Sequence, residues 1–478
     1  MTSLWTRADV VAATQGRPEG ADWTAGGVSI DSRSLERGDL FVAIKGEHSD
    51  GHAYVGMAFE RGASAAIVSD VTDAMRKAGP LVVVPDALEA LNQLGRAARR
   101  RAPAKVVAVT GSVGKTGTKE ALRMLLSEQG PTHASAASYN NLWGVPLSLA
   151  RMPADTHYGI FEIGMNHSGE ITPLSKLVEP FIALITTVEA VHMAYFDSVE
   201  EIADAKAEIF DGLQKGGVAI LNRDNPHFAR LEARAKKAGA GRIISFGEHK
   251  DADAHLEKVA LKEDCSCVSA TICGQPVTYK LGVPGRHIVM NSLAMLACVS
   301  ALEADLAMAA LALAHLEAPS GRGERRHVDA PGRPFLLVDE SYNANPVSMR
   351  AAIEALGRAE PGHRARRIAV LGDMLELGPN AAALHRELAA PLAQAEVDLV
   401  FACGPHMREL FNALPADRQG FYAETSDGLM TPLTEAIHDG DVVMVKGSNG
   451  SRMKPVVAAL LALGDDDSES IRRNRGEA

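Results

Sequence analysis

Short apolar runs recur along the chain, each ending in a polar or glycine-bearing turn, with stretches of helical apolar spacing between many of them. Up to about position 100 the runs are GVSIDSR, DLFVAIKG, AAIVSD and PLVVVPD; KVVAVT, YGIFEIG and FIALITT follow. Beyond Pro319 the pattern restarts with FLLVDE, RIAVLG, DLVFACG and DVVMVKG. Continuous apolar runs alternating with helices predict strands covered on both faces, hence α/β domains with largely parallel sheets. The reading divides the chain into a small N-terminal α/β domain at 1–103, a central domain at 104–318 and a Rossmann-like C-terminal α/β domain at 319–464. The segment 465–478 is charged and poor in apolar residues, which predicts disorder. Linkers are expected at Ala102-Pro103-Ala104 and at Ser320-Gly321-Arg322-Gly323.

At 478 residues there is room for roughly three domains, in agreement with the pattern. A composition of 46% hydrophobic and 23% charged residues suits ordinary globular cores rather than disorder. The net charge of -11 argues against a general nucleic-acid binder, because neutralising phosphates takes clustered Lys and Arg, and Arg99-Arg100-Arg101 is only a short run. No apolar run is long enough to span a membrane, and Met1 to Ser29 lacks the basic start and apolar core of a signal peptide, so a cytoplasmic location is expected. Cys265-Ser266-Cys267 has neither a second Cys pair nor a His at zinc spacing, which predicts free thiols.

The chemistry concentrates at Lys105–Glu120, KVVAVTGSVGKTGTKE. A buried strand ends in Thr110-Gly111-Ser112-Val113-Gly114-Lys115-Thr116-Gly117, and a helix with apolar Ala121, Leu122, Leu125 and Leu126 follows. Such a loop surrounds phosphate oxygens with backbone N–H groups at a helix N-terminus, where the dipole favours negative charge. Lys115 would reach the terminal phosphates and the Thr116 hydroxyl would ligate Mg²⁺. Val109 stands where the first glycine of G-x-x-x-x-G-K-[ST] would fall. This gives the central domain a P-loop ATPase-like parallel sheet and makes ATP the expected nucleotide.

Other candidates sit just after apolar runs, where open α/β sheets gather ligands. Glu162 ends YGIFE and His192 follows FIALITTVEAV; both could face the phosphate loop as metal ligands, although His is uncommon at magnesium and His192 alone reads as an ordinary loop histidine. A helix is predicted from about Ser198 to Leu213, with Ile202, Ala205, Ile209 and Leu213 as its buried stripe. Lys206 lies beside that stripe and reads, on pattern alone, as a surface lysine. Asn291, on the helix after Gly285-Arg286-His287, could pair with a nucleobase edge. Asp31, Ser32, Arg33 and Lys45 follow N-terminal strands; they fit a phosphate-bearing ligand and ordinary turns equally.

The loop Thr110–Thr116, Asn140-Asn141 with Gly144-Val145-Pro146, FEIGMNHSGEI, AVH before AKAEIF, and LNRDNP together resemble the Mur ligases of peptidoglycan synthesis. Asp339-Glu340-Ser341-Tyr342-Asn343-Ala344-Asn345-Pro346, Leu371-Gly372-Asp373-Met374 and Lys446-Gly447-Ser448 are similar to the members that add a dipeptide. The resemblance covers nearly the whole chain apart from the tail. It implies that ATP, UDP-muramoyl-tripeptide and D-alanyl-D-alanine are converted to UDP-muramoyl-pentapeptide, ADP and phosphate through an acyl phosphate.

It also implies roles. Thr116 and Glu162 would hold one Mg²⁺, and Glu162, His192 and a carbamylated Lys206 would surround a second. Asn291, Arg322, Asp339 and Glu340 would contact the nucleotide together with the phosphate loop. Asp31, Ser32, Arg33, Lys45, Asn140 and Asn141 would bind the UDP-substrate, and Asn343 and Asn345 the dipeptide. Closure of the three domains about hinges near Pro103 and Pro319 is implied, as is a monomer in transient contact with other cell-wall enzymes. The alternatives are a sister ligase adding L-alanine, D-glutamate or the third residue, a folylpolyglutamate synthetase, or a non-catalytic nucleotide-binding assembly factor.

Overall fold

Every apolar run named above becomes a strand in the computed structural model, which describes residues 3–46, 49–136, 138–191 and 193–475. The N-terminal sheet has the order Arg17–Glu19, Leu81–Val83, Ala65–Val68, Asp39–Val42, Gly27–Ser29, parallel except for its first strand. Because Gly27–Ser29, Asp39–Val42 and Ala65–Val68 run the same way, the turns bearing Asp31, Lys45 and Asp70 share one edge. In the C-terminal sheet the order is Glu324–Val328, Phe335–Glu340, Val442–Lys446, Arg367–Gly372, Leu399–Cys403, Gln419–Ala423, again with only the first strand antiparallel.

The central sheet carries the phosphate-loop strand. Its order is Gln275–Leu281, Ser266–Ile272, Ala254–Leu261, Arg242–Gly247, Val218–Asn222, Ile182–Ile185, Lys105–Thr110, Tyr158–Glu162, Thr132–Ala134. The strands from Ala254–Leu261 onward to Thr132–Ala134 are parallel, as expected, but Ser266–Ile272 and Gln275–Leu281 add an antiparallel hairpin, so the sheet is mixed. The reason is local. Ser266–Ile272 alternates buried and exposed positions, the signature of a strand covered on one face. Cys273 and Gly274, both at positive φ, form the two-residue turn that such a hairpin favours.

The helix Ala87–Arg101 joins the first two domains. Asp86 caps it through Leu88 N at 2.7 Å and Glu89 N at 3.0 Å. Its Leu91, Leu94 and Ala98 enter a core that also takes Leu147 and Ala150 from the central domain. Arg99 donates to the Val178 carbonyl at 2.8 Å and the Glu179 carbonyl at 3.1 Å, at the end of the helix Ile171–Val178. Trp5 donates to the Ala150 carbonyl at 2.8 Å, with Arg101 stacked 4.1 Å above its ring. The final helix, Lys454–Arg475, runs into the segment expected to be disordered. Val456, Val457 and Leu460 anchor its first turns in the core, and extending a formed helix costs far less than starting one. Among the described residues no helix is long and apolar enough to cross a membrane.

Replacing Arg99 by Met leaves the Val178 carbonyl buried without its donor, which is expected to cost about 1–3 kcal/mol. The exposed Arg100→Met change should stay within about 0.5 kcal/mol of the parent. Urea denaturation of the two variants side by side checks the difference.

Candidate active site

The phosphate loop sits between the strand Lys105–Thr110 and the helix Lys115–Ser127. Two glycines make its path possible. Gly114, the residue before the helix, has φ +86, and a Cβ there would meet Asn291 Nδ2 at 2.5 Å; Gly111, at φ +148, lies against the Thr186 hydroxyl. The close approach at Gly114 brings Asn291, on the helix Arg286–Ala301, directly onto the loop. Ser112 and Val113 are tied to the segment after Ile182–Ile185: Ser112 N donates to Thr187 O at 2.9 Å, and Thr186 Oγ1 donates to Val113 O at 2.6 Å. Lys115 bends back to the Gly111 carbonyl at 2.6 Å. Its enclosed position pushes the ammonium below the usual lysine range; Arg322 adds to the effect and Glu162 opposes it.

Glu162 is 1% exposed at the end of its strand, and both its oxygens are held. Thr116 Oγ1 donates to Oε2 at 2.9 Å, and Asn140 Nδ2 donates to Oε1 at 2.6 Å. A carboxylate and a hydroxyl side by side are oxygen donors of the kind Mg²⁺ takes. Lys206 departs from the pattern-based reading: it is 2% exposed rather than on the surface. It lies four residues after Ile202 and three before Ile209, so it shares their covered face. The predicted helix is here α-helical over Val199–Ala207 and 3-10 over Glu208–Gly212. Burial drives the Lys206 amine well below its ordinary pKa, and the Lys115 charge adds to the shift. His192 lies outside the described residues.

The C-terminal domain closes the other side of a cavity of about 400 Å³. Arg322 stacks 4.0 Å over the Tyr342 ring and its Nη2 lies 3.5 Å from Ser138 Oγ. Glu340 lines the cavity and accepts Lys446 Nζ at 2.9 Å; Lys446 also donates to the Asn343 carbonyl at 3.1 Å. Asp339 is buried and accepts Ser341 N at 2.9 Å, turned into its own loop. Asn343 lines the cavity, while Asn345 spends its side-chain oxygen on Ser348 N at 2.9 Å, capping the helix Pro346–Gly357.

Thus Lys115, Thr116, Gly117, Glu162, Asn140, Asn291, Arg322, Glu340, Asn343 and Asn345 come together around one cavity. The N-terminal candidates do not join them. Arg33 and Asp31 form a 2.7 Å ion pair that lowers the Asp31 pKa through the side-chain hydrogen bond, and Lys45 lies 3.8 Å from Asp50 and 3.9 Å from Asp70. Ser32 Oγ meets Met57 Sδ at 3.6 Å. These groups occupy the carboxyl edge of their own sheet. Asn141 Oδ1 accepts Trp143 N at 3.2 Å and Gly144 N at 2.9 Å just before the helix Gly144–Ala150, and the Trp143 ring packs on Gly46 of the N-terminal domain. Sequence reasoning missed Ser138, which touches both Thr116, at 3.3 Å, and Arg322. Its only signal was the small-residue stretch Ser135-Ala136-Ala137-Ser138 shortly before Asn140-Asn141.

Fold and site together define a three-domain α/β protein built to hold a nucleoside polyphosphate between its central and C-terminal domains. The chain matches the Mur ligase middle domain over residues 109–299, the Mur ligase glutamate ligase domain over 321–449 and the Mur ligase family catalytic domain over 24–102. It is 34% identical over 456 residues to the UDP-N-acetylmuramoyl-tripeptide--D-alanyl-D-alanine ligase of Escherichia coli, covering 93% of this chain and 96% of that protein. A crystal structure of MurF from Acinetobacter baumannii superposes with a TM-score of 0.83 at 30% identity, covering 96% of this chain and 99% of that one. The MurF ligase from Thermotoga maritima in complex with ADP gives 0.76 at 26% identity, covering 92% and 98%. The chain belongs to the Mur ligase family.

The buried Lys206 yields a test of the electrostatics. Below about pH 10.4 the unfolded chain protonates this amine while the folded chain resists, so falling pH favours unfolding until the folded pKa is reached. Lys206→Met removes that penalty. In CO₂-free buffer it should raise the Tm at neutral pH, with the gain shrinking as the pH approaches 10; differential scanning calorimetry across that range reads it.

Proposed function

We infer that this chain is an ATP-dependent amide ligase that adds D-alanyl-D-alanine to UDP-N-acetylmuramoyl-tripeptide in peptidoglycan synthesis. The observation that carries the reading is the single cavity in which the phosphate loop and Glu162 of the central domain face Arg322, Glu340, Asn343 and Lys446 of the C-terminal one. Full-length likeness to ligases of that activity supports it.

A free carboxylate is a poor acyl donor because oxide would have to leave. Transfer of the γ-phosphoryl group from ATP makes the tripeptide carboxylate an acyl phosphate and releases ADP. The dipeptide amine attacks the acyl carbon, a tetrahedral intermediate forms, and inorganic phosphate leaves as the amide closes. Before the first step two anions must meet, and at 4 Å their repulsion is about 4 kcal/mol at an effective dielectric of 20. Lys115, released from the Gly111 carbonyl, and Arg322, oriented by Tyr342, offset it from opposite walls. The loop N–H groups and the dipole of Lys115–Ser127 hold the remaining phosphates.

Thr116 and Glu162 are the residues that would hold Mg²⁺, with Asn140 fixing the Glu162 carboxylate. When bound, the metal supplies neutralisation of the phosphate charge. In this reading His192 and Lys206 serve a second ion, with Lys206 carbamylated. Its support is the buried amine held toward the neutral form, since only a neutral amine combines with CO₂. Asn291 and Glu340 contact the nucleotide. The N-terminal edge with Arg33 and Lys45 takes the UDP moiety, as carboxyl edges of parallel sheets do. We read the reaction as cytoplasmic, since substrates carrying a charged nucleotide stay in water.

Phosphate release with ATP, Mg²⁺ and UDP-muramoyl-tripeptide tests the assignment, with D-alanyl-D-alanine, D-glutamate, L-alanine or no amine added and each product weighed by mass spectrometry. Release and a pentapeptide mass are expected with the dipeptide alone. Turnover with a single amino acid would move the chain to a sister activity, and none under any condition would favour a non-catalytic nucleotide binder.

A further inference from the structure

Lys119 lies four residues beyond Lys115 on the phosphate-loop helix, and its side chain is wholly buried. Lysines are almost never fully buried unless paired, because removing an ammonium from water carries a heavy desolvation cost. Here the ammonium donates to the Ser135 carbonyl at 2.6 Å and meets Glu120 Oε1 at 2.6 Å; the other Glu120 oxygen takes Arg123 Nε at 2.8 Å. Ser135 is the first residue after the strand Thr132–Ala134, and its N–H bonds the Ile160 carbonyl at 3.0 Å. Both backbone polar groups of Ser135 are therefore pinned, one by the neighbouring strand and one by Lys119.

The segment that starts there reaches the reactive cavity twice. Ser138 Oγ lies 3.3 Å from Thr116 Oγ1, and Asn140 Nδ2 holds Glu162 Oε1 at 2.6 Å. Asn140 is fixed in turn by its carbonyl, which accepts Gly164 N at 2.8 Å. One helix thus presents Thr116 to the cavity from its first turn and, from its second, anchors the segment that orients the neighbours of Thr116 and Glu162.

We propose that Lys119 is a positioning residue: its buried ammonium clamps Ser135 to the phosphate-loop helix, so that Ser138 and Asn140, a few residues further on, hold Thr116 and Glu162 in the arrangement that binds magnesium with nucleotide. The proposal rests on the reading of Thr116 and Glu162 given above. A residue that fills space alone would affect stability; one that acts through Asn140 affects the dependence of nucleotide binding on metal.

The test is calorimetric titration of the full chain with ADP, with and without Mg²⁺, for wild type, Lys119→Met, Asn140→Ala and the double variant. Lys119→Met is expected to weaken ADP binding by about tenfold with Mg²⁺, the scale of lost outer partners at metal sites, and by much less without it. Asn140→Ala should do the same, and the double variant should bind no more weakly than Asn140→Ala alone. Lys119→Arg, which keeps a cationic donor, should recover most of the loss. Equal losses with and without Mg²⁺, or losses that multiply in the double variant, would overturn the proposal while leaving the metal reading intact. Wild-type affinity indifferent to Mg²⁺ would sink both. If circular dichroism finds Lys119→Met unfolded, the same cycle is run with Lys119→Gln, which retains a neutral donor.

Discussion

Two enclosed amines and a guanidinium gathered near the buried Glu162 set the electrostatics of the site. Burial pushes the Lys115 amine down, with Glu162 opposing and Arg322 adding to the shift, and it pushes the Lys206 amine down further, with the Lys115 charge adding. An anion placed beside these amines would favour their charged forms and so offset part of the cost of burying them.

The scaffold that holds these charges is unevenly joined. The N-terminal and central domains share apolar side chains and a buried guanidinium across Ala87–Arg101, so the stretch around Pro103 is embedded in a packed seam. The passage into the C-terminal domain is slimmer: Gly321 and Gly323 at positive φ, Arg322 laid on Tyr342, and a link from Ala194 N to Glu376 O at 3.2 Å. The first linker is thus the more deeply packed of the two, and the second places Arg322 over Tyr342 and beside Ser138.

Chain pattern was informative wherever one stretch did one job. The loop of Gly111 to Thr116 was legible because strand, glycines, lysine, threonine and helix lie in one run. Glu162 was legible because it ends an apolar strand. The second half of the central sheet was not singled out, since the alternating residues of Ser266–Ile272 belong to a one-sided strand rather than a buried parallel one. Lys206 on its pattern read as exposed; four-residue spacing from Ile202 placed it beside the stripe, but only the packing around that helix covers it. Asn345 fits a ligand by resemblance, yet its amide oxygen is engaged as a helix cap.

The sequence by itself determined the alternation of strands and helices, the phosphate loop and the family, because each depends on residues close together in the chain. Tertiary structure decided which distant groups meet: Asn140 on Glu162, Arg322 on Tyr342 beside Ser138, Lys446 on Glu340, and Asp339 turned away where Glu340 faces the cavity. Those choices follow from sheet order, domain approach and burial. They set distances and solvation, which act across space and leave no period or spacing in the chain.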